Sequence, residues 1–374
     1  MKKILYVTTV SSTINVFLVS HIKMLIDKGN KVDIACNIDQ ELSNDFMEYG
    51  VILHRIDFSR NPLSLDNKKA YKQIKELQQR EKFDIVHVHT PVASFVTRLA
   101  LRNENIKMIY TCHGFHFYKG APLINWMIYY PLEKIAAHWT DVLVTINSED
   151  LNRADKFNLR NNGQVKLMHG VGIDPKIYEL DNFDRDEYRK KLGLDKEDFV
   201  LLVLAELNQN KNHIQVIKAI DILKNKYPNI KALFAGKGSL ENKLNETISN
   251  MGLEENIKLI GFRSDIKELL HSCDCVGLFS KREGLGKCLL EGMITGKPII
   301  ATNTRGPKEL IDNNKNGFIL SVNDYIGTCN CIEQLYVEDK KSIDFGKISK
   351  EKVKKYLLNN VLDEVYKIHS LDIK

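Results

Sequence analysis

Short β-branched runs alternate with helical patterns along the whole chain, and they do so in two series. The first series has runs at Ile4–Val7, Val32–Ala35, Val51–Leu53, Ile85–Val88, Met108–Tyr110 and Val142–Ile146, with helical spacing between them, as at Phe17–Lys28 and Lys68–Arg80. The second has runs at Phe199–Leu204, Ala232–Ala235, Lys258–Ile260, Val276–Phe279, Ile299–Ala301 and Phe318–Leu320. Continuous apolar runs of this length read as strands buried on both faces, the condition of a parallel sheet covered by helices. The expected fold is α/β, with two Rossmann-like domains facing across a cleft. A chain of 374 residues also exceeds what one core normally fills. Alternation weakens and charge rises between about residues 170 and 195, so the domains are expected at 1–175 and 176–350. Val353, Tyr356, Leu357, Val361, Val365 and Ile368 recur at helical spacing, so 351–374 is expected as one long amphipathic helix.

Composition narrows the function classes. The net charge of +6 is mild, and no basic motif interleaved with aromatics is present, so no nucleic-acid partner is expected. Mild basicity suits either a solvated surface or visits to an anionic membrane face. No apolar run approaches the ~18 residues of a membrane span, and the apolar part of MKKILYVTT is short for a signal peptide. Seven cysteines are scattered, with C-x-C at Cys273/Cys275 and Cys329/Cys331 but no zinc-type spacing. Reduced thiols and a cytoplasmic setting are the expectation.

The stretch from Cys275 to Ala301 carries the most chemistry. It reads as a strand, a loop, a helix of roughly three turns, a Gly–Lys–Pro stop and a second buried strand. Glu283 lies in the loop and Glu291 within the helix, with Gly284 and Gly286 between them. A helix start offers unpaired N–H groups to a phosphate, and carboxylates accept hydrogen bonds from sugar hydroxyls. Phosphate and polyol recognised in one place point to a sugar nucleotide. In the first series, ligands are expected at the carboxyl ends of the strands. That places the hydroxyls of Thr8–Thr13, with Ser11 and Ser12, in an acceptor or phosphate site, or in a plain Ser/Thr turn. His87 alternates with Val86 and Val88 and is expected to pack in the sheet, while His89 fits either packing or a site. His113, after a strand and before Gly114, is the histidine that stands out. The one D-x-D, Asp184–Asp186, opens a Lys/Arg-rich helix and is not expected to hold a metal.

The pattern S-x-x-E-G-x-G-x-x-x-L-E-G-M, followed by G-K-P-I-I-A, resembles the E-x7-E signature of glycosyltransferase family 4, retaining enzymes of the GT-B fold. The resemblance extends over nearly the whole chain and assigns roles by position. Glu291 would hold the ribose hydroxyls, Glu283 the donor-sugar hydroxyls, and Lys211 with the backbone of Leu285, Gly286 and Lys287 the diphosphate. His113 matches the H-G position beside the donor sugar. Gly236 matches A-G-x-G, and Arg263 lies where relatives hold the base through backbone. Glu206 stands where an arginine is usual, and a carboxylate cannot replace a guanidinium on phosphate. His169 replaces the usual Asn before Gly170–Asp174, and Glu133, Ser148 and Glu149 fall on recurring polar positions. The final helix resembles the GT-B tail that crosses back onto the first domain.

The resemblance implies a metal-independent, retaining transferase with no cofactor. Its donor would be a nucleotide sugar, UDP-linked, and the leaving phosphate would assist deprotonation of the acceptor. The loops resemble those of bacterial capsular and exopolysaccharide transferases, which implies a lipid-linked saccharide acceptor at the inner membrane face. The segment KGAPLINWMIYYPLEKIAAHW, with Trp126, Tyr129, Tyr130 and Trp139, reads as a helix packed on the sheet or as one touching a bilayer or a lipid-linked acceptor. Two rivals are a GT-B sugar-nucleotide epimerase and a non-catalytic subunit of an assembly complex.

Overall fold

A computed structural model describes residues 1–372. The chain forms two compact units: Met1–Gly172 together with the segment from Leu358 onward, and Ile173–Leu357.

The first unit is built on a seven-stranded sheet. Its strands are β1 (Lys3–Val10), β2 (Lys31–Asn37), β3 (Leu53–Arg55), β4 (Ile85–His89), β5 (Lys107–Cys112), β6 (Val142–Thr145) and β7 (Gln164–Leu167), in the order β3-β2-β1-β4-β5-β6-β7. All pairs are parallel, with Ile4 opposite both Val32 and Ile85. The order reverses between β1 and β4, and a crevice opens at such a reversal beyond the strands' carboxyl ends. Alternate side chains divide between the faces. Leu5, Val7, Val86, Val88, Met108 and Tyr110 enter one apolar core. Tyr6, His87 and His89 are buried on the opposite face.

The second unit has six parallel strands: β8 (Phe199–Leu204), β9 (Ile230–Ala235), β10 (Ile257–Gly261), β11 (Cys275–Leu278), β12 (Ile299–Thr302) and β13 (Gly317–Leu320). The order β10-β9-β8-β11-β12-β13 reverses between β8 and β11. Leu201, Val203, Ala232, Phe234 and Cys275 form its core with Val216, Ile220 and Leu223 of the helix Ile214–Leu223.

Three expectations change. β7 was not anticipated, because its sequence QVKL is half polar and only half-buried at the sheet edge. β3 lies two residues beyond the expected apolar run, where Leu53–Arg55 pair with Ile34–Cys36. The expected single helix over 351–374 is broken: the helix Asp339–Lys352 passes into a 3-10 turn, Val353–Tyr356. Leu357 is extended at ψ 144°, and a new helix runs from Leu358 to Ser370. The periodic apolar residues therefore serve two units, with Val353 and Tyr356 buried in the second and Val361, Val365 and Ile368 in the first. Lys107 closes the terminal helix, its ammonium donating to the carbonyls of Ile368, His369 and Leu371 at 2.7–2.8 Å.

Candidate active site

In the second unit the loops after β8 and β11 meet where the strand order reverses. Glu206, Lys211, Glu283, Gly286, Lys287 and Glu291 line one cavity of about 330 Å³. Gly286 (φ +95°) begins the helix Lys287–Ile294, a backbone geometry that favours glycine, and it supplies no capping side chain. The helix start thus faces this cavity with backbone donors and a positive dipole end. Lys211 Nζ lies 2.7 Å from Glu283 Oε2, which also accepts from Ser280 Oγ at 3.1 Å. Burial alone would lower the Lys211 pKa, but the facing Glu283 carboxylate outweighs it and raises it, so the ammonium persists. An ammonium has three donors, so Lys211 can hold Glu283 and an anion together. One turn into the helix, Glu291 Oε1 accepts from Tyr178 OH at 2.8 Å, and Lys287 Nζ approaches it at 3.6 Å. Burial and Glu291 together raise the Tyr178 pKa, which keeps the phenol protonated as a donor.

The remaining second-unit candidates take other places. Gly236 follows β9, and a Cβ there would lie 2.0 Å from the Ala205 carbonyl oxygen, so the loop after β8 passes only because the position is glycine. Arg263 does not line the cavity; its guanidinium pairs with Asp265 and reaches Tyr188 OH at 3.4 Å. Leu285 is buried behind the loop. Glu206 is exposed at the rim, so Lys211, Lys287 and the helix start are the positive elements. Sequence reasoning missed Tyr178, which joins Glu291 from 113 positions away. It also missed Cys288, whose thiol burial pushes up to about 12, so it lines the cavity as an inert group.

In the first unit a second cavity, about 350 Å³, lies at the β1/β4 reversal. Thr9, Thr13, Thr90, Arg60 and His116 give it polar groups, and Val10, Phe95, Tyr129 and Leu132 give it apolar ones. Thr90 adopts φ +63°, an unusual conformation for a β-branched residue, while its hydroxyl meets that of Thr9 at 2.7 Å. His113 Nε2 meets His89 Nδ1 at 3.1 Å, and His87 packs inside the sheet against Thr111 Oγ1 at 2.8 Å. Ser11 and Ser12 open the helix Ser11–Phe17, and their hydroxyls donate to Asp39, at 2.9 and 2.7 Å, which pins the loop after β2; neither is among the residues lining this cavity. Glu133 is the partner of fully buried Arg98 at 2.8 Å, and the guanidinium sits 4.1 Å over the Tyr110 ring.

The aromatics of the helix Leu123–Ala137 also turn out differently from the bilayer-facing option. Trp126 and Tyr130 pack inward around Phe117, with centroids 5.6 and 5.3 Å away, and Tyr129 stacks on His116 at 4.6 Å. The exposed stripe is aliphatic: Leu123, Ile124, Met127, Ile128, Leu132 and Ile135.

Known proteins give the same architecture. HepE of Anabaena, solved with UDP and glucose, superposes with a TM-score of 0.81 over 99% of this chain and 100% of its own, at 19% identity. WaaG, a glycosyltransferase involved in lipopolysaccharide biosynthesis, superposes at 0.76 with 14% identity, over 99% and 100%. The fold is GT-B. The model for glycosyl transferases group 1 matches residues 184–352, and that for glycosyltransferase family 4 matches 14–166. A putative glycosyltransferase of Bacillus subtilis, EpsD, is 35% identical over 99% of this chain and 96% of its own length. An Escherichia coli enzyme named as a UDP-Gal:α-D-GlcNAc-diphosphoundecaprenol α-1,3-galactosyltransferase is 28% identical over 84% and 81%. The chain belongs to this glycosyltransferase family.

Proposed function

We propose that this glycosyltransferase moves a sugar, with retention and without a metal ion, from a UDP-sugar to a lipid-linked saccharide in bacterial polysaccharide assembly. The observation that carries the reading is the second-unit cavity, where a helix start, Lys211 and Lys287 stand between two carboxylates. The helix N–H groups and the two ammonium groups would take the charge that grows on the leaving diphosphate, the electrostatic contribution that usually dominates. Glu291, oriented by Tyr178, would accept from the ribose hydroxyls, and Glu283 from the donor sugar. The departing phosphate would receive the acceptor's proton on the face where the new bond forms.

The acceptor class is supported by the name of one relative, the diphosphoundecaprenol galactosyltransferase, and the polysaccharide setting by that of a capsular polysaccharide biosynthesis glycosyltransferase, CapM, of Staphylococcus aureus. Among the described residues no helix is long and apolar enough to cross a membrane. Contact with the inner face would instead use the aliphatic stripe on Leu123–Ala137, where Met127 is 73% exposed. Lys119 and Lys134 flank it, and the segment's one acid, Glu133, is buried in its ion pair.

Calorimetric titration with UDP, GDP and ADP, with EDTA present throughout, tests the donor reading. Selective UDP binding supports it. No binding to any of the three overturns it.

A further inference from the structure

The first-unit cavity is walled mainly by apolar side chains. Val10, Pro91, Val92, Phe95, Val96 and Leu132 supply them, four from the helix Pro91–Ala100. Most of its polar groups are already engaged. Thr90 donates to the His89 carbonyl at 2.5 Å, and its hydroxyl oxygen meets Thr9 Oγ1 at 2.7 Å. Glu133 accepts from Arg98 at 2.8 Å and from Tyr110 OH at 3.2 Å. The His116 ring lies against Tyr129. Arg60 and Thr13 are left: among the described residues neither side chain has a hydrogen bond or ion pair. Arg60 is also exposed, so its guanidinium stands at the open side of the cavity.

A saccharide is a poor match for such a space, because each hydroxyl it buries needs a partner and few are free. A bare phosphate would leave the apolar wall unused. An apolar chain that ends in a phosphate satisfies both parts. The chain covers the wall, and the guanidinium forks onto the phosphate oxygens. The surroundings fit a ligand of that kind. Leu132, which lines the cavity, belongs to the aliphatic stripe of the helix Leu123–Ala137 and is 38% exposed. Pro62 lines it from the loop after β3, and Leu63 beside it is 89% exposed. Exposed apolar side chains thus adjoin the cavity from two elements, as a chain leaving a bilayer requires.

We infer that the first-unit cavity seats the lipid end of the acceptor: a single polyprenyl chain against its apolar wall, with the phosphate or diphosphate on Arg60. The inference rests on the reading of the acceptor as lipid-linked and adds the residues that hold the lipid. One chamber of about 350 Å³ suits one chain rather than the two of a glycerolipid. Thr13 offers the phosphate a hydroxyl donor from the helix Ser11–Phe17. The saccharide, attached beyond the phosphate, lies outside the cavity, which is why the wall carries so few free polar groups.

The test is calorimetric titration of the full chain with farnesyl diphosphate, with and without UDP. Binding is expected in both cases, since UDP is assigned to the second-unit cavity. Inorganic pyrophosphate, which lacks the chain, should bind at least about 100-fold more weakly. Dihexanoyl phosphatidate, with two chains, should also bind more weakly. Arg60→Gln should weaken farnesyl diphosphate about 10- to 100-fold, and Leu132→Glu, which sets a carboxylate beside the chain, by a similar factor. Both side chains are exposed, so both variants should keep the fold. Failure of the wild type to bind farnesyl diphosphate refutes the lipid-linked reading and this inference with it. Undiminished binding by either variant leaves the lipid-linked reading standing and overturns the cavity as its seat. Displacement by UDP places the ligand in the second-unit cavity and overturns the inference. Equal affinity for pyrophosphate or for dihexanoyl phosphatidate overturns it as well.

Discussion

Lowering the pH from 7.5 to 5 should unfold the first unit far more readily, before any carboxylate is protonated to a large extent. His21 and His369 are buried there, and burial pushes each from the ordinary 6.5 down to about 4. The folded unit therefore binds fewer protons than the unfolded chain. Its stability is full above about pH 6.5 and is lost as the pH falls through the window toward 4. At pH 5 a group with these two values costs roughly 2 kcal/mol, so the pair costs roughly 4 kcal/mol. His113, also lowered to about 4 by burial, and His87 and His89, held well below the ordinary range by burial and by neighbouring histidines, act in the same direction, so the loss for the pair is a lower bound. The lowered carboxylates of this unit, Asp39, Asp57 and Glu81, begin to contribute only below about pH 4.5, so pH 5 isolates the histidines. The assay is urea unfolding followed by tryptophan fluorescence, because Trp126 and Trp139 are the chain's two tryptophans and both lie in this unit. With a slope of ~2 kcal/mol per molar urea, the midpoint should drop by at least about 2 M. His369→Leu should remove roughly half of the two-histidine loss. Equal midpoints at pH 7.5 and pH 5 would refute the buried, neutral state of the histidines.

Other perturbations address the site and the helix. Glu291→Ala should weaken UDP binding about 10- to 100-fold by calorimetry, the scale of hydrogen bonds to a charged group, and Tyr178→Phe should weaken it only about 5-fold. Lys211→Ala should depress kcat about 10²-fold, since its ammonium is read as acting on the leaving group. Glu133→Ala leaves the Arg98 charge buried and unpaired and should cost about 3–5 kcal/mol of first-unit stability by the same fluorescence assay. Replacing Leu123 and Met127 by serine should abolish co-sedimentation with anionic lipid vesicles and leave UDP affinity unchanged.

What was legible in the sequence follows from burial. Strands covered on both faces must be apolar and β-branched, so β1, β4, β8 and β11 announce themselves. β7 carries Gln164 and Lys166 at an edge and gives no such signal. The E-x7-E stretch was readable because one helix start sets the spacing of Glu283, Lys287 and Glu291. Tyr178 was not, because nothing local to it signals a partner 113 positions away. Side-chain direction was the other blind spot. Trp126 and Tyr130 share a helix with Leu123 and Met127, and composition cannot say which set turns inward. The sequence likewise gives no sign that Asp39 engages the hydroxyls of both Ser11 and Ser12. Helical spacing across Val353–Ile368 is equally misleading, since one extended residue, Leu357, divides it between two units.

The division of the first unit into two chain segments has a consequence for synthesis. Residues 173–357 form one continuous stretch, so the second unit can complete its sheet soon after leaving the ribosome. The first unit begins to emerge earlier but cannot finish until the helix Leu358–Ser370 arrives, because that helix carries His369 to the Tyr6 and His87 face. The unit translated first is thus the one completed last. For that interval a row of imidazoles stands open to water, free to take up the protons it must shed when the helix closes.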